Sequence, residues 1–224
     1  MRPIVKICGL SRLEDVRMCI RHGADVLGFV VEYPHPVPWN IGTQQAKRLI
    51  SAVSKPVETC VVTGGDTQKV LRTALEIRPD YIQLHTRETV EETAFLAEKL
   101  GECGIRVIKT VYRDTQEKTV TEFSKAGIFA LLLDPRTPEN AEKSGKADLS
   151  TFFRFREIAD CPVILAGGLD AANAAGYVQT ANPRMIDLMT GVERSAGIKD
   201  ENKVIALMAA LKISAQGTHP NAGA

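Results

Sequence analysis

Eight short apolar runs recur along this chain of 224 residues, and each is followed by a segment with helical spacing. The runs are rich in Val, Ile and Leu, and the following segments carry apolar residues every three or four positions. Regular alternation of strand and helix indicates an α/β fold with a parallel sheet. Eight such units in about 220 residues predict a single (β/α)8 TIM barrel. The runs are IVKIC (4–8), DVLGFVV (25–31), VETCVV (57–62), DYIQLH (80–85), IRVIKTVY (105–112), FALLLD (129–134), PVILAGG (162–168) and MIDLMTG (185–191).

An open, doubly wound sheet is the rival architecture for this alternation. It usually has fewer units and a glycine-rich phosphate loop after its first strand, whereas CGLSRLED (8–15) does not fit the GxGxxG pattern. No linker divides the chain. We therefore expect one barrel over residues 1–213 and a flexible C-terminal tail over residues 214–224, where the sequence becomes small and polar.

Composition and charge argue against a disordered or fibrous protein and against one that binds nucleic acid or a membrane surface. A hydrophobic content of 44% is enough for a sizeable core, and a net charge of +1 gives no sign of nucleic-acid or membrane-surface binding. No apolar stretch approaches a membrane span or the core of a signal peptide. The five cysteines are scattered without a CxxC pair. This pattern predicts reduced thiols in a cytoplasmic protein, with neither a zinc site nor a disulfide framework.

The C-terminal ends of the strands are where a barrel of this kind carries its chemistry. Alternation along the first strand directs Lys6 and Cys8 into the barrel, so that Cys8 is the last inward residue at the mouth. A free cysteine is more often a small core residue than a catalytic group. On the fourth strand, Gln83 and His85 share the inward face, which suits either a binding pocket or a hydrogen-bonded pair that closes the barrel.

The sixth strand ends in an inward-pointing carboxylate, Asp134, after the apolar run LLL (131–133). A carboxylate in that position is costly unless it is paired, hydrated or functional. The ordinary alternative is that Asp134 caps the turn that Asp-Pro begins. The polar segment after it, PRTPENAEKSGKAD (135–148), has the length of a lid or binding loop.

Glycines follow the last two strands, at Gly167–Gly168 and at Thr190–Gly191. This is where the fold commonly binds phosphate through backbone N–H groups and the start of a short helix. Each pair alone fits an ordinary tight turn. Because both pairs occur at these two places, we predict a phosphate site.

These motifs together resemble the phosphoribosylanthranilate isomerase family of tryptophan biosynthesis. The resemblance runs in order over nearly the whole chain. The matching segments are VKICGLSRLEDV (5–16), GADVLGFVVEYPHP (23–36), PDYIQLH (79–85), LLLD (131–134), SGK (144–146), VILAGGLDAAN (163–173) and IDLMTGVERSAGIKD (186–200).

The resemblance implies an Amadori rearrangement that needs no cofactor. N-(5-phosphoribosyl)anthranilate, an aldose form, would become 1-(2-carboxyphenylamino)-1-deoxyribulose 5-phosphate, with Cys8 as general base and Asp134 as general acid. We further expect Lys6, Gln83, His85 and Asp187 to bind the substrate, and Gly167, Gly168, Thr190 and Gly191 to bind its phosphate. The expected partner is this small phosphoribosyl substrate, without metal, nucleic acid or membrane, for a monomer or homodimer in the cytoplasm.

Acid–base chemistry at neutral pH requires that both pKa values be tuned. A free cysteine, with a pKa of about 8.5, is mostly a thiol, and a free aspartate, with a pKa of about 3.9, is mostly ionised. We therefore expect Lys6 and other cations to lower the pKa of Cys8. We expect the apolar strand to raise the pKa of Asp134.

The loop after the second strand departs from the family pattern. The family loop, of the kind YPKSxRYV, carries an arginine that holds the anthranilate carboxylate. Here EYPHPVPWNI (32–41) has Pro38 or Trp39 at that place and contains no Arg or Lys. Arg87 and Arg136 are the candidate replacements. Trp39 fits either a stacking partner for an aromatic aglycone or a simple loop anchor.

Two other functions stay open at this point. Because the loop lacks the arginine, the chain fits a related isomerase that acts on a different N-phosphoribosyl aglycone. Met189 also replaces one of two small hydroxyl residues that the family has on the eighth strand. The other open function is a non-catalytic phosphosugar-binding barrel, against which the presence of both Cys8 and Asp134 argues.

Overall fold

A closed barrel of eight parallel strands forms the centre of the molecule. The computed structural model describes residues 2–136 and 145–216. The barrel closes because the first strand pairs with both the second and the last, and the predicted (β/α)8 TIM barrel is thereby confirmed. Its strands are β1 (Ile4–Ile7), β2 (Val26–Val31), β3 (Glu58–Thr63), β4 (Tyr81–Leu84), β5 (Arg106–Tyr112), β6 (Ala130–Asp134), β7 (Val163–Ala166) and β8 (Met185–Leu188).

Helices cover the outside of the barrel, one after each strand. Local chemistry fixes several of their starts. Asp66 caps the helix Thr67–Ile77 by accepting from the backbone N–H of Lys69, and Thr89 and Glu92 form a reciprocal capping box at the start of the helix Val90–Gly101. Within the described ranges the helices are α1 (Leu13–Arg21), α2 (Thr43–Ile50), α3 (Thr67–Ile77), α4 (Val90–Gly101), α5 (Glu117–Ser124), α6 (Leu149–Ile158), α7 (Ala174–Ala181) and α8 (Glu201–Gln216).

Alternation along the strands divides the buried residues into two layers. Val5 and Ile7 belong to the layer between sheet and helices, whereas Cys8 belongs to the cluster that fills the barrel. The predicted orientation of the first strand is therefore confirmed. The inner cluster consists of Cys8, Val26, Val30, Cys60, Val62, Tyr81, Ile108, Ala130, Leu132, Ile164, Ala166 and Met185.

Two predicted segments fall partly outside the described residues. Helix α8 continues to Gln216, and residues 217–224 of the predicted tail lie beyond the described range. Residues 137–144 of the predicted loop after Asp134 are likewise not described. In the part of the chain that is described, no helix has the length and apolar character needed to cross a membrane.

Candidate active site

Cys8 lies at the mouth of the barrel, directly after β1. Its backbone N–H donates to the carbonyl oxygen of Leu188 at 2.8 Å, and its buried thiol packs against the backbone of Gly28 on β2. Burial raises the pKa of the Cys8 thiol, and the positive charges of Lys6 and Lys199 offset only part of this effect. The prediction of a lowered pKa was wrong because burial of the thiol outweighs the attraction of the lysines.

Lys6 and Asp187 form an ion pair inside the barrel. They are register partners on β1 and β8, and Lys6 Nζ lies 2.8 Å from Asp187 Oδ1. The Lys6 side chain is fully buried, and 12% of the Asp187 side chain is exposed. Burial by itself would lower the pKa of Lys6, but the charge of the Asp187 carboxylate and its hydrogen bond raise that pKa well above its usual range. Lys6 is therefore a permanent positive charge near the Cys8 thiol.

Asp134, at the end of β6, is held by a two-point contact with Arg136. Arg136 Nε donates to Oδ1 at 3.0 Å and Nη2 to Oδ2 at 2.8 Å, while the Arg136 backbone N–H also donates to Oδ1 at 2.9 Å. On the other side, His85 Nε2 lies 3.4 Å from Asp134 Oδ2.

These contacts decide the charge of Asp134. Burial would raise the pKa of the Asp134 carboxyl, but the hydrogen bonds from His85 and Arg136 and the charge of Arg136 hold that pKa well below its usual range. The prediction of a raised pKa was therefore wrong. In the substrate-free protein Asp134 is a carboxylate at neutral pH.

His85 is oriented by the neighbouring strands. Gln83 Nε2 lies 3.1 Å and Thr110 Oγ1 lies 3.0 Å from His85 Nδ1. Nδ1 of the ring therefore faces Gln83 and Thr110, whereas Nε2 faces Asp134. The hydroxyls of Tyr33 and Tyr112 donate to the His85 carbonyl oxygen at 3.0 and 3.2 Å. Gln83, His85 and Asp134 thus form one connected network.

Sequence reasoning did not identify Thr110, Tyr33 or Tyr112 as parts of this network. A signal for Thr110 existed, since alternation from the inward Ile108 places it on the inner face of β5. Nothing in the sequence pointed to the two tyrosines, because they come from different strand ends and meet at a backbone carbonyl group.

The loops after β6, β7 and β8 pack closely at the predicted phosphate site. Gly167 has a φ of +104°, and an added Cβ there would lie 2.3 Å from Pro135 Cγ. A Cβ on Gly191 would lie 1.9 Å from the carbonyl oxygen of Leu169. Larger residues would push these loops apart. Thr190 and Gly191 belong to a short 3-10 turn, Thr190–Val192, directly after β8.

Trp39 ties the loop after β2 to the loop after β8. Its indole Nε1 donates to Glu193 Oε1 at 2.8 Å, and Lys199 Nζ donates to the same oxygen at 2.7 Å. The indole ring also packs against Gly9, which the Met189 side chain approaches as well. These contacts give Trp39 the role of a loop anchor.

Comparisons with known proteins agree with this architecture. The family model for N-(5'-phosphoribosyl)anthranilate (PRA) isomerase matches residues 5–210. N-(5'-phosphoribosyl)anthranilate isomerase of Afipia carboxidovorans is 31% identical over 223 residues, which cover 98% of this chain and 94% of that protein. The crystal structure of phosphoribosyl anthranilate isomerase from Thermus thermophilus superposes with a TM-score of 0.77 at 32% identity, covering 95% of this chain and 99% of that one.

A further similar structure contains a bound ligand. It is phosphoribosyl anthranilate isomerase in complex with reduced 1-(o-carboxyphenylamino)-1-deoxyribulose 5-phosphate. That structure superposes with a TM-score of 0.76 at 28% identity and covers 95% of this chain and 99% of its own. The relatives are therefore similar to this chain over nearly their full length.

Proposed function

This chain belongs to the N-(5'-phosphoribosyl)anthranilate isomerase family and is an isomerase of that class, and we propose how its residues act. Cys8 is the general base and Asp134 the general acid of an Amadori rearrangement. The observation that carries the proposal is the placement of a buried thiol after β1 and a buried carboxylate at the end of β6. Around the barrel, two strands lie between these positions on one side and four on the other. The two groups therefore face the mouth from different sides.

The reaction needs one proton donor and one proton acceptor. Asp134 gives a proton to the ribose ring oxygen, the bond from C1 to that oxygen breaks, and the nitrogen lone pair forms a protonated Schiff base. Cys8 as thiolate takes the proton from C2, and the electron pair forms the enolamine double bond. Return of a proton to C1 and loss of the hydroxyl proton from the C2 oxygen give the ketone. No atom is gained or lost.

The remaining predicted site residues have supporting geometry. The Gln83 Oε1 atom is buried and has no hydrogen-bond partner among the described residues. Such an atom is costly to leave unpaired and is suited to accept from a substrate hydroxyl. Close loop packing restricts Gly167, Gly168 and Gly191 to glycine, and Thr190 begins the 3-10 turn after β8. This geometry supports a phosphate site formed by the backbone N–H groups of these turns. The free cysteines support a cytoplasmic location, and we propose a monomer or homodimer.

The resting protonation states lead to a prediction about pH. The raised pKa of Cys8 and the lowered pKa of Asp134 mean that the resting pair holds one proton, on sulfur. The reactive pair, a Cys8 thiolate with an Asp134 carboxylic acid, also holds one proton. The fraction of enzyme in this reactive state is therefore constant at every pH between the two pKa values. We expect kcat/KM to be level from about pH 7 to 8.5, where the substrate phosphate is a dianion.

The measurement is a series of initial rates over that window, with the spontaneous reaction subtracted at each pH. The rate should fall only below the pKa of Asp134, where both groups are protonated, or above that of Cys8, where neither is. A tenfold rise per pH unit across the window would mean that the reactive pair has one proton fewer than the resting pair. Asp134 would then not be the acid.

The proposed function itself is tested by turnover of freshly prepared phosphoribosylanthranilate. We expect the purified protein to convert many equivalents, followed as loss of anthranilate-type fluorescence, with the ketose product identified by mass spectrometry. A folded protein that converts no anthranilate compound but does convert another N-phosphoribosyl amine would establish the alternative aglycone. Binding of the phosphoribosyl compound without any turnover would indicate a non-catalytic barrel.

A further inference from the structure

The aglycone carboxylate has no cationic partner from the loop after β2. Residues 32–41, EYPHPVPWNI, contain neither Arg nor Lys. The loop is also held by the bonds of Trp39 to Glu193 and of the Tyr33 backbone to Asn40. An anionic substrate group that enters beside the ionised Asp134 would be repelled unless another cation meets it. The mouth must therefore provide that cation from another strand end.

Arg136 is the cation that lies next to the proposed acid. Its guanidinium binds both Asp134 oxygens, and 30% of its side chain is exposed at the mouth. A guanidinium has five N–H donors in a planar fork and binds carboxylates through two of them at once. It can therefore exchange one carboxylate for another, or bridge the two, without leaving its place.

The covalent structure of the substrate brings its carboxylate to this place. C1 of the ribose carries both the ring oxygen and the aglycone nitrogen, and the carboxylate is on the ring carbon next to the one that bears the nitrogen. When Asp134 contacts the ring oxygen, the ortho-carboxylate is only a few bonds away. A group that contacts Asp134 is then within reach of the carboxylate as well.

We propose that Arg136 binds the ortho-carboxylate of the aglycone, and that this transfer of the guanidinium from Asp134 to the substrate releases Asp134 to act as the acid. The inference rests on the proposed function. Without substrate, Arg136 and His85 keep Asp134 ionised. With the guanidinium drawn to the substrate, burial and the nearby substrate anion favour protonation of Asp134. The Cys8 thiol gives up its proton to solvent at the same time, so the pair still holds one proton. The ortho-carboxylate thus determines which substrate is preferred and, when it binds, favours the protonated form of Asp134.

Two other cations near the mouth are less well placed. Arg87 is exposed, two residues beyond His85, and is close enough to influence the pKa of Tyr112. Lys69 donates to Thr63 Oγ1 and to the backbone carbonyl oxygens of Glu32 and Gly64. Neither has a described contact with the Asp134 carboxylate, so neither couples carboxylate binding to the acid.

The test compares three phosphoribosyl amines, made from anthranilate, 4-aminobenzoate and aniline, on wild type, Arg136→Gln and Arg87→Gln. The 4-aminobenzoate compound also carries a carboxylate, but on the ring carbon opposite the one that bears the nitrogen. The aniline compound has no carboxylate. We expect Arg136→Gln to lower kcat/KM for the anthranilate compound about 10- to 100-fold, the range of a charge-assisted hydrogen bond. For the other two compounds its kcat/KM should equal or exceed that of wild type, and Arg87→Gln should leave the order of the three substrates unchanged.

Other outcomes separate this inference from the proposed function. If Arg136→Gln slows all three compounds equally while its melting temperature matches wild type, Arg136 only supports Asp134 and the inference is wrong. A selective loss in Arg87→Gln instead would assign the carboxylate to Arg87. If wild type converts none of the three, the proposed function fails first. Arg136→Lys, which keeps the charge but loses the fork, should recover part of the selectivity for the anthranilate compound.

Discussion

Asp134→Asn should lower kcat for phosphoribosylanthranilate by about 10²- to 10⁴-fold, the usual contribution of a positioned general acid. The substitution keeps the shape of the side chain but removes the group that can give a proton to the ring oxygen. Most of the loss should be in kcat, because the phosphate and the aglycone keep their own contacts. Initial rates at saturating substrate measure the effect.

Asp66→Asn is a matched control for this change. Asp66 caps α3, and asparagine caps a helix about as well as aspartate, so this variant should retain wild-type kcat. Both variants should melt as wild type does, since Arg136 is partly exposed and can be hydrated after the ion pair is lost. A kcat for Asp134→Asn within threefold of wild type would exclude Asp134 as the acid.

Lys6→Met should reduce the free energy of unfolding by about 3 kcal/mol, the low end of the range for a broken buried ion pair. The low end applies because Asp187, which is left unpaired, keeps 12% of its side chain exposed. The raised pKa of Lys6 means that its contribution is fully present below its unfolded value of about 10.4 and therefore at neutral pH. Urea unfolding at pH 7 measures the difference.

The double variant Lys6→Met with Asp187→Leu distinguishes lost charge pairing from lost packing. Because no charge then remains unpaired, we expect it to recover most of the loss. Lys125→Met, which breaks an exposed pair with Asp160, should change stability by at most about 0.5 kcal/mol. If Lys6→Met lowered the free energy of unfolding by no more than Lys125→Met does, the Lys6–Asp187 pair would make no net contribution to stability.

The fold and the positions of the catalytic candidates could be predicted from local patterns. Alternation of strand and helix, together with a side-chain period of two along each strand, suffices to place Cys8 and Asp134 at the mouth of a barrel. These are properties of short segments that do not depend on distant partners. The same reasoning placed Gln83 and His85 on one inner face, where they do contact one another.

The charge states could not be predicted in this way, because each is a balance between burial and partners from other strands. For Cys8, burial exceeds the attraction of Lys6, which is itself engaged with Asp187. For Asp134, the partner is Arg136, only two residues away, but the bidentate contact depends on how the chain turns after β6. The sequence identified the arginine as a candidate for the aglycone carboxylate without revealing that it first binds the acid.

The role of Cys8 as general base is tested by the kcat of Cys8→Ser on freshly prepared phosphoribosylanthranilate, measured beside Cys103→Ser. Both variants exchange sulfur for oxygen, but Cys103 is exposed and lies just after α4, away from the barrel mouth. A serine hydroxyl is a far weaker base than a thiolate. We expect a loss of at least about 100-fold in Cys8→Ser and wild-type kcat in Cys103→Ser. Wild-type kcat in a folded Cys8→Ser protein would mean that this thiol does not remove the C2 proton.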